Sequence, residues 1–404
     1  MLCKGGLSSQ GINMDNVKRT FWKSPFEAII CLVLLLLAIG CINVFSASQV
    51  AAEDIFSNSR HYLYRYGIYA LMGIFAMFVF SKINYRIWLH NAERLAGLTV
   101  AMLAFVLVFS EPVNGARRWI QIGSVFSFQP SEFAKMIMIF LCAAAFGRHV
   151  DTGHKCTLKS APLLWSLVIG FLVYKEPDMG TAAIIVGLTL GIYFICRLPA
   201  LQNLLLFSLA PLGALFLAKG AAYRAERIEA WLNPWQYANE AGYQTIQSIM
   251  AIGSGGFFGT GFGQGNSKFY YLPEAHTDFS FAVLCQEWGF VGAIFVITIF
   301  AFLCYILWKS ADLAPDGASY IIIMGTNFLL TGQAVANIAM VMGLLPVIGV
   351  PLPFISYGGT SLLINMAMLG TVLNIVKNGQ KRMASPALQY TTQTPQRRLR
   401  LVKG

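Results

Sequence analysis

Apolar runs of membrane-crossing length recur along this 404-residue chain, with few charges between them. A bilayer core about 30 Å thick takes about 20 helical residues to cross. Within it every backbone N–H and C=O has to be satisfied internally, which restricts spanning segments to helices or a closed barrel. Ten runs qualify, with cores near 26–46, 64–80, 95–109, 133–147, 161–175, 180–195, 201–218, 281–307, 320–345 and 360–376. Charged residues make up only 12% of the chain, about half the share of a soluble domain. The expected fold is therefore an all-α integral membrane protein of about ten spans. Lys18, Arg19 and Lys23 precede the first run, which is long and lacks a clear small-residue cleavage site. It reads as a retained span rather than a cleaved signal.

Lys and Arg set the orientation, because they accumulate on cytoplasmic loops. With the N-terminus inside, 19 of the 29 fall on inner segments, and an even number of spans returns the C-terminus to the cytoplasm. The chain then divides into a cytoplasmic segment (1–25), a membrane domain (26–378) with a large outer loop (219–280), and a basic cytoplasmic tail (379–404). The net charge of +11 is in this reading a topology signal, not a nucleic-acid footprint. The tail from Lys381 to Arg400 reads as solvated and disordered by composition, with contact to anionic lipid as the alternative. The eight cysteines show no Cys-x-x-Cys spacing and read as buried thiols, neither disulfides nor metal ligands.

Roughly sixty residues separate the seventh and eighth runs, and loops that long are usually functional or disordered. Arg224 to Trp231 alternates charged and apolar residues at helical spacing, which suits a helix lying on the membrane surface. Gly253 to Gly265 holds seven glycines but matches no nucleotide-binding fingerprint. Tight turns and close backbone approach explain it; a cradle of N–H groups for a pyrophosphate is the weaker reading.

The loop ends in Lys268, Glu274, His276 and Asp278, four polar residues packed against the start of an apolar run. Charge placed at a membrane edge is costly and calls for a reason, and Asp278 is the candidate catalytic base. Glu132 and Lys135, three apart at the head of the fourth run behind Pro130, project from one helix face. A structural ion pair and a substrate contact are both open for them. Asp178 opens the sixth run, where an acid serves equally as an N-cap. Arg117 and Arg118 offer either a bidentate grip on pyrophosphate or an interfacial anchor. Asn327, Gln333 and Asn337 are expected to hydrogen-bond across helices. Pro346, Pro351 and Pro353 forbid a regular helix over 343–361, which should form an outer, partly re-entrant loop buried against protein.

Five ordered motifs carry a family resemblance: Gly115 to Trp119, Gln129 to Glu132, Pro177 to Thr181, Leu272 to Phe279 and Gly349 to Ser361. Together they resemble the signatures of the SEDS family, which includes FtsW, RodA and SpoVE, from about residue 25 to 378. The wording around Leu272 to Asp278 and Phe45 to Ser48 is more similar to the FtsW branch. The resemblance implies a ten-span peptidoglycan glycosyltransferase that polymerises lipid II outside the bacterial cytoplasmic membrane, at the division septum. It also implies a single-span class B penicillin-binding transpeptidase and other divisome membrane proteins as partners.

Carried over by motif, Asp278 is the catalytic acid of the family, and Glu132, Lys135 and Asp178 are its site residues. The chain departs from the pattern at Ser280, Gln286 and Trp288, where the family run reads Glu-Glu-Leu-Gly at its end. That departure speaks against a role needing two acids in this span. An acceptor hydroxyl deprotonated by a carboxylate, attacking an α-linked pyrophosphate donor, gives a β product by one inverting displacement. Positive charge for the leaving pyrophosphate is available from Arg117, Arg118, Lys135 and Lys268, with Glu274 and His276 also beside the substrate. No Asp-x-Asp occurs, so any divalent cation, Mg²⁺ or Mn²⁺, is expected to sit on the substrate pyrophosphate. The rival functions are a flippase for the same lipid, an elongation polymerase of the RodA kind, and a non-catalytic division scaffold.

Overall fold

A computed structural model describes residues 24–112, 116–122, 126–153, 160–196, 199, 201–206, 208, 222–266, 268–269 and 272–384. Seven of its helices are long and apolar enough to cross a membrane. They are α1 (Pro25–Phe56), α2 (His61–Lys82), α4 (Ala92–Phe109), α5 (Pro130–Thr152), α10 (Ser280–Ala311), α11 (Gly317–Val341) and α12 (Gly359–Ala384). Two shorter apolar helices, α6 (Ala161–Lys175) and α7 (Met179–Ile195), fall on the fifth and sixth runs. Most of the expected seventh span, 201–218, lies outside the described residues, as do the segment before residue 24 and the basic tail beyond 384. A one-turn α3 (Tyr85–His90) links α2 to α4.

Helix starts follow local chemistry. Ser24 caps α1 by accepting from Glu27 N–H, with Pro25 at the first helical position. Asp316 and Ser319 close a reciprocal capping box on α11. That helix stops at Val341, short of the expected 345, because Gly343 takes a φ of +76° that the helix cannot continue.

The most enclosed span is α12, and it packs along α2. A Cβ added at Gly370 would meet the Met77 carbonyl at 2.4 Å, so the two backbones approach as closely as small residues allow. Around this pair, α5 packs on α4 and α11, and α1 packs on α10. Where α2 and α4 face outward, Phe75, Phe78, Phe105 and Phe109 are exposed, as lipid-facing side chains are in a bilayer. A two-stranded hairpin, β1 (Ile120–Ile122) and β2 (Phe126–Phe128), precedes α5 in antiparallel register, Ile120 opposite Phe128.

Two irregular stretches interrupt the helical pattern. The glycine-rich segment lies between α9 (Tyr243–Ser254) and α10, and α10 is broken at Gly289 (φ +68°, ψ −166°). The break frees backbone groups that the glycine segment satisfies. Thr260 N–H and Gly261 N–H donate to the Gln286 and Glu287 carbonyls, while Phe290 and Val291 N–H donate to the carbonyls of Gly256 and Phe257. A Cβ on Gly259 would sit 2.1 Å from the Glu287 carbonyl oxygen, which is why glycine stands there. Close backbone approach therefore explains the glycine run, and no pyrophosphate cradle is needed for it.

The 343–358 stretch has no helix or strand, as its prolines require. Val350, Leu352, Phe354 and Ile355 are nonetheless fully buried. Their neighbouring main-chain groups are met from the protein: Asn337 Nδ2 donates to the Val350 carbonyl, Gln333 Nε2 to that of Pro351, and Leu352 N–H to Ser356 Oγ. The amphipathic helix α8 (Ala222–Leu232) is present and docks on this loop, Trp231 Nε1 donating to Gly343 O and Arg227 to Val347 O. Cys31, Cys41, Cys285 and Cys304 are free thiols.

Candidate functional site

Residues 272–279 form a compact turn that ends at the first residue of α10. Glu274 adopts φ +53°, and its carbonyl accepts from both Thr277 and Phe279 N–H, winding the chain tightly enough to present His276 and Asp278 together. Two hydrogen bonds fix the turn, and Gly349 packs beside it. Asn337 Nδ2 donates to the Asp278 carbonyl at 2.7 Å. Tyr357 N–H donates to the His276 carbonyl at 2.9 Å. Gly349, at φ +66°, lies so close that a Cβ there would be 3.5 Å from Asp278 Oδ2. Asp278 thus sits half-buried against the proline-rich loop, one residue outside the α10 helix.

Its electrostatics follow from that place. Burial, then the negative charges of Glu274 and Asp178, push the Asp278 carboxyl up to about 7, against the opposing pull of Arg118 and Arg227. Asp178 is the N-cap of α7: Oδ1 accepts from Thr181 N–H at 3.0 Å and Oδ2 from Gln129 Nε2 at 3.1 Å. Burial raises its pKa too, while Arg118 and the Thr181 hydrogen bonds lower it. Glu176, two residues earlier, is enclosed, and neither carboxylate oxygen has a hydrogen-bond partner among the described residues. Burial and the Asp178 charge take it to about 9, so it is a neutral acid at pH 7. Arg118 serves this acid group from one side, donating from Nε to the Glu176 carbonyl at 2.9 Å and from Nη2 to that of Pro177. Desolvation disfavours a charged imidazole, so His276 titrates below its ordinary value. Glu274 itself is exposed and accepts from Thr277 Oγ1 at 2.6 Å.

The remaining expected residues are engaged in pairs or at helix ends, and the Glu132 charge also acts to raise Asp178. Lys135 Nζ is 2.7 Å from Glu132 Oε1 and 3.1 Å from Gln333 Oε1, with both charged side chains enclosed. Gln333 in turn holds Pro351 and Ser361, so the pair buttresses the loop that covers Asp278. Lys268 Nζ is 3.4 Å from Glu287 Oε1 and donates to the Gly263 carbonyl at 2.7 Å, with Ser46 joined to the same carboxylate. Neither lysine reaches the surface, because a buried ammonium without its carboxylate would lack any compensating charge. Glu287 thus answers to Lys268, while Asp278 stands off the helix altogether. Arg117 is exposed and donates to the Leu107 and Val108 carbonyls, anchoring the end of α4. Among the described residues no three His, Cys, Asp or Glu side chains converge as metal ligands.

Arg227, whose charge acts on Asp278, and Glu176, the neutral acid two residues before Asp178, are not candidates by sequence alone. Arg227 lies in the charge-alternating helix noted above, and Glu176 directly precedes the Pro177-Asp178 motif. Asn337 was expected to bond across helices, and instead it holds the main chains of Asp278 and Val350 together. Asn327 does bond across, to the Cys304 carbonyl.

The family model described as cell cycle protein, covering FtsW, RodA and SpoVE, matches residues 26–381. The chain belongs to this family. Stage V sporulation protein E of Bacillus subtilis (strain 168) is 36% identical over 87% of the chain and 97% of its own length. A probable peptidoglycan glycosyltransferase FtsW of Trichlorobacter lovleyi is 37% identical over 90% of the chain and 96% of its own. Among solved structures, a chain of a complex described as coordinating polymerisation and crosslinking in a peptidoglycan synthase superposes with a TM-score of 0.73 at 29% identity. That match covers 88% of this chain and 99% of the other. Thermus thermophilus RodA, a rod shape determining protein, gives 0.63 at 26% identity, over 87% and 96%. The chain is accordingly a multi-pass membrane protein of the family's all-helical fold.

Proposed function

We propose that this chain is a peptidoglycan glycosyltransferase that polymerises lipid II on the outer face of the cytoplasmic membrane, with Asp278 as its base. The carrying observation is a carboxylate raised to about 7, held by backbone attachments at the mouth of the membrane domain. A base that titrates near the working pH combines the charged form with enough basicity to accept a proton. Asp278 takes the proton of an acceptor sugar hydroxyl as the oxygen attacks the anomeric carbon of the donor. The bond from that carbon to the pyrophosphate breaks, and inversion turns the α linkage into β. Arg118 and Arg227 supply positive charge toward the departing pyrophosphate. A divalent cation, Mg²⁺ or Mn²⁺, carried by the pyrophosphate would add to that charge, and chelation during the assay tests for it.

The relatives named FtsW, together with the wording of the Leu272 to Asp278 motif, favour septal synthesis during division over elongation. The synthase-complex neighbour favours a crosslinking partner, which we assign to a single-span class B penicillin-binding transpeptidase working among other divisome membrane proteins. Labelled lipid II given to the purified protein with such a partner tests the reading. Glycan ladders lost in Asp278→Asn are the expected result. Leaflet exchange in liposomes without ladders would make the protein a flippase, and neither activity would leave a scaffold.

A further inference from the structure

A row of aromatic rings runs from the rim of the molecule to the turn that carries Asp278. Phe56, the last residue of α1, is 43% exposed and stacks on His61, the first of α2, with ring centroids 3.8 Å apart and planes 7° from parallel. Tyr62 follows, 5.5 Å from His61, 4.4 Å from His276 and 5.2 Å from Tyr357. The rings come from three segments far apart in sequence, so no single helix face accounts for them. Backbone and side-chain bonds hold the row at its inner end: Tyr357 N–H to the His276 carbonyl, and the Arg65 guanidinium to Tyr357. Inner rings this well fixed help tie α2 to the two loops. The outer Phe56–His61 stack, at the facing ends of α1 and α2, adds a partly exposed ring to the row.

We propose that Phe56, His61, Tyr62, His276 and Tyr357 form a stacking track that holds the saccharide units of the glycan strand beside Asp278. The chemistry fits one ligand class. A pyranose in a β-1,4-linked chain presents a face of C–H bonds that packs on an aromatic ring, and its equatorial hydroxyls reach the polar edges of Tyr and His. His276 is two residues from Asp278 in the same rigid turn, so a sugar on the inner ring lies next to the base. The track rests on the polymerase reading and adds to it. The site then grips sugar rings as well as pyrophosphate, and a strand held at several rings stays bound between successive additions.

The test uses the full-length protein in detergent and a fluorescent hexamer of β-1,4-linked N-acetylglucosamine, which carries neither lipid nor peptide. The hexamer should bind wild type and Asp278→Asn equally. Tyr62→Leu should weaken it about tenfold, and Tyr62→Phe, which keeps the ring, by no more than about threefold. In lipid II assays Tyr62→Leu should give shorter glycans. If Tyr62→Leu fails to fold, Phe56→Leu removes an exposed ring instead and should show the same direction of effect in both assays. Wild-type ladders together with unchanged hexamer binding and unchanged strand length in the leucine variants would overturn the track alone. Hexamer binding by wild type without any ladders would overturn the polymerase reading instead.

Discussion

Titration of Asp278 gives the sharpest test of the site. Its carboxyl stands at about 7 in the folded protein, against an ordinary value of 3.8. A base with that value is about one-tenth ionised at pH 6 and about nine-tenths at pH 8, whereas an ordinary aspartate is almost fully ionised at both. The kcat/KM for lipid II should therefore rise about tenfold between pH 6 and its plateau. Neighbouring charges set the direction in variants. Glu274→Gln removes a negative charge that raises Asp278 and should move the midpoint to lower pH; Arg227→Gln removes an opposing positive charge and should move it higher. Stability carries the opposite signature. Between about pH 4 and 7 the unfolded aspartate is ionised while the folded one holds its proton, so the folded state loses stability as pH rises through that window. The displacement amounts to about 4 kcal/mol above pH 7. Asp278→Asn should thus lose about 10²-fold or more in polymerisation yet melt higher than wild type at pH 8, with the gap narrowing toward pH 5. A flat pH–rate profile from 5 to 8, or a midpoint that rises in Glu274→Gln, would refute this account of the base.

Glu132→Gln and Lys135→Met should each destabilise the protein by about 3–5 kcal/mol, since each leaves the other charge buried alone, and the double neutral variant should recover much of that in detergent melts. Gly289→Ala should lower the melting temperature markedly, because its Cβ would lie 2.2 Å from Gly259 N in a conformation that alanine resists. A cysteine at Gln236, in the outer loop, should react with an impermeant thiol reagent on intact spheroplasts, and labelling only after lysis would reverse the assigned orientation.

Most spans were legible because a bilayer forces long apolar runs into helices, and the run at 161–175 coincides with α6. Less was legible where a residue's role depends on what packs against it. The hairpin before α5 has only three residues in each strand, too few for alternation to stand out against a loop. Asp278 reads from sequence as the end of the loop and Glu287 as part of the following span, but what each one meets does not follow from that. The helix starts after Asp278, and the Gly289 break turns the backbone of the next turn toward the glycine segment. Sequence could name Lys268 and Lys135 as cations near the outer surface. The i,i+3 spacing offered Glu132 as the partner of Lys135, but the pairing of Lys268 with Glu287 depends on a loop folding back over a broken helix.

That contrast in pairing separates scaffold from site in physical terms. The two lysines meet their carboxylates inside the protein, at 2.7 and 3.4 Å. Asp278, Asp178 and Glu176 are different: the Asp178 charge raises both of the others, and nearby positive charge comes from arginines whose bonds go to main-chain carbonyls. Acids gathered without matched bases destabilise a fold, and such an arrangement persists where rigid surroundings impose it. Here those surroundings are the turn wound on Glu274, the Asn337 staple, and a buried proline loop braced through Gln333 by the Glu132–Lys135 pair. The paired charges thus act at a distance, holding in place an acid group that would otherwise relax toward water. Loss of the brace should accordingly lower kcat through misplacement of Asp278, while the midpoint of the pH profile moves toward the ordinary aspartate range as water reaches the carboxylate.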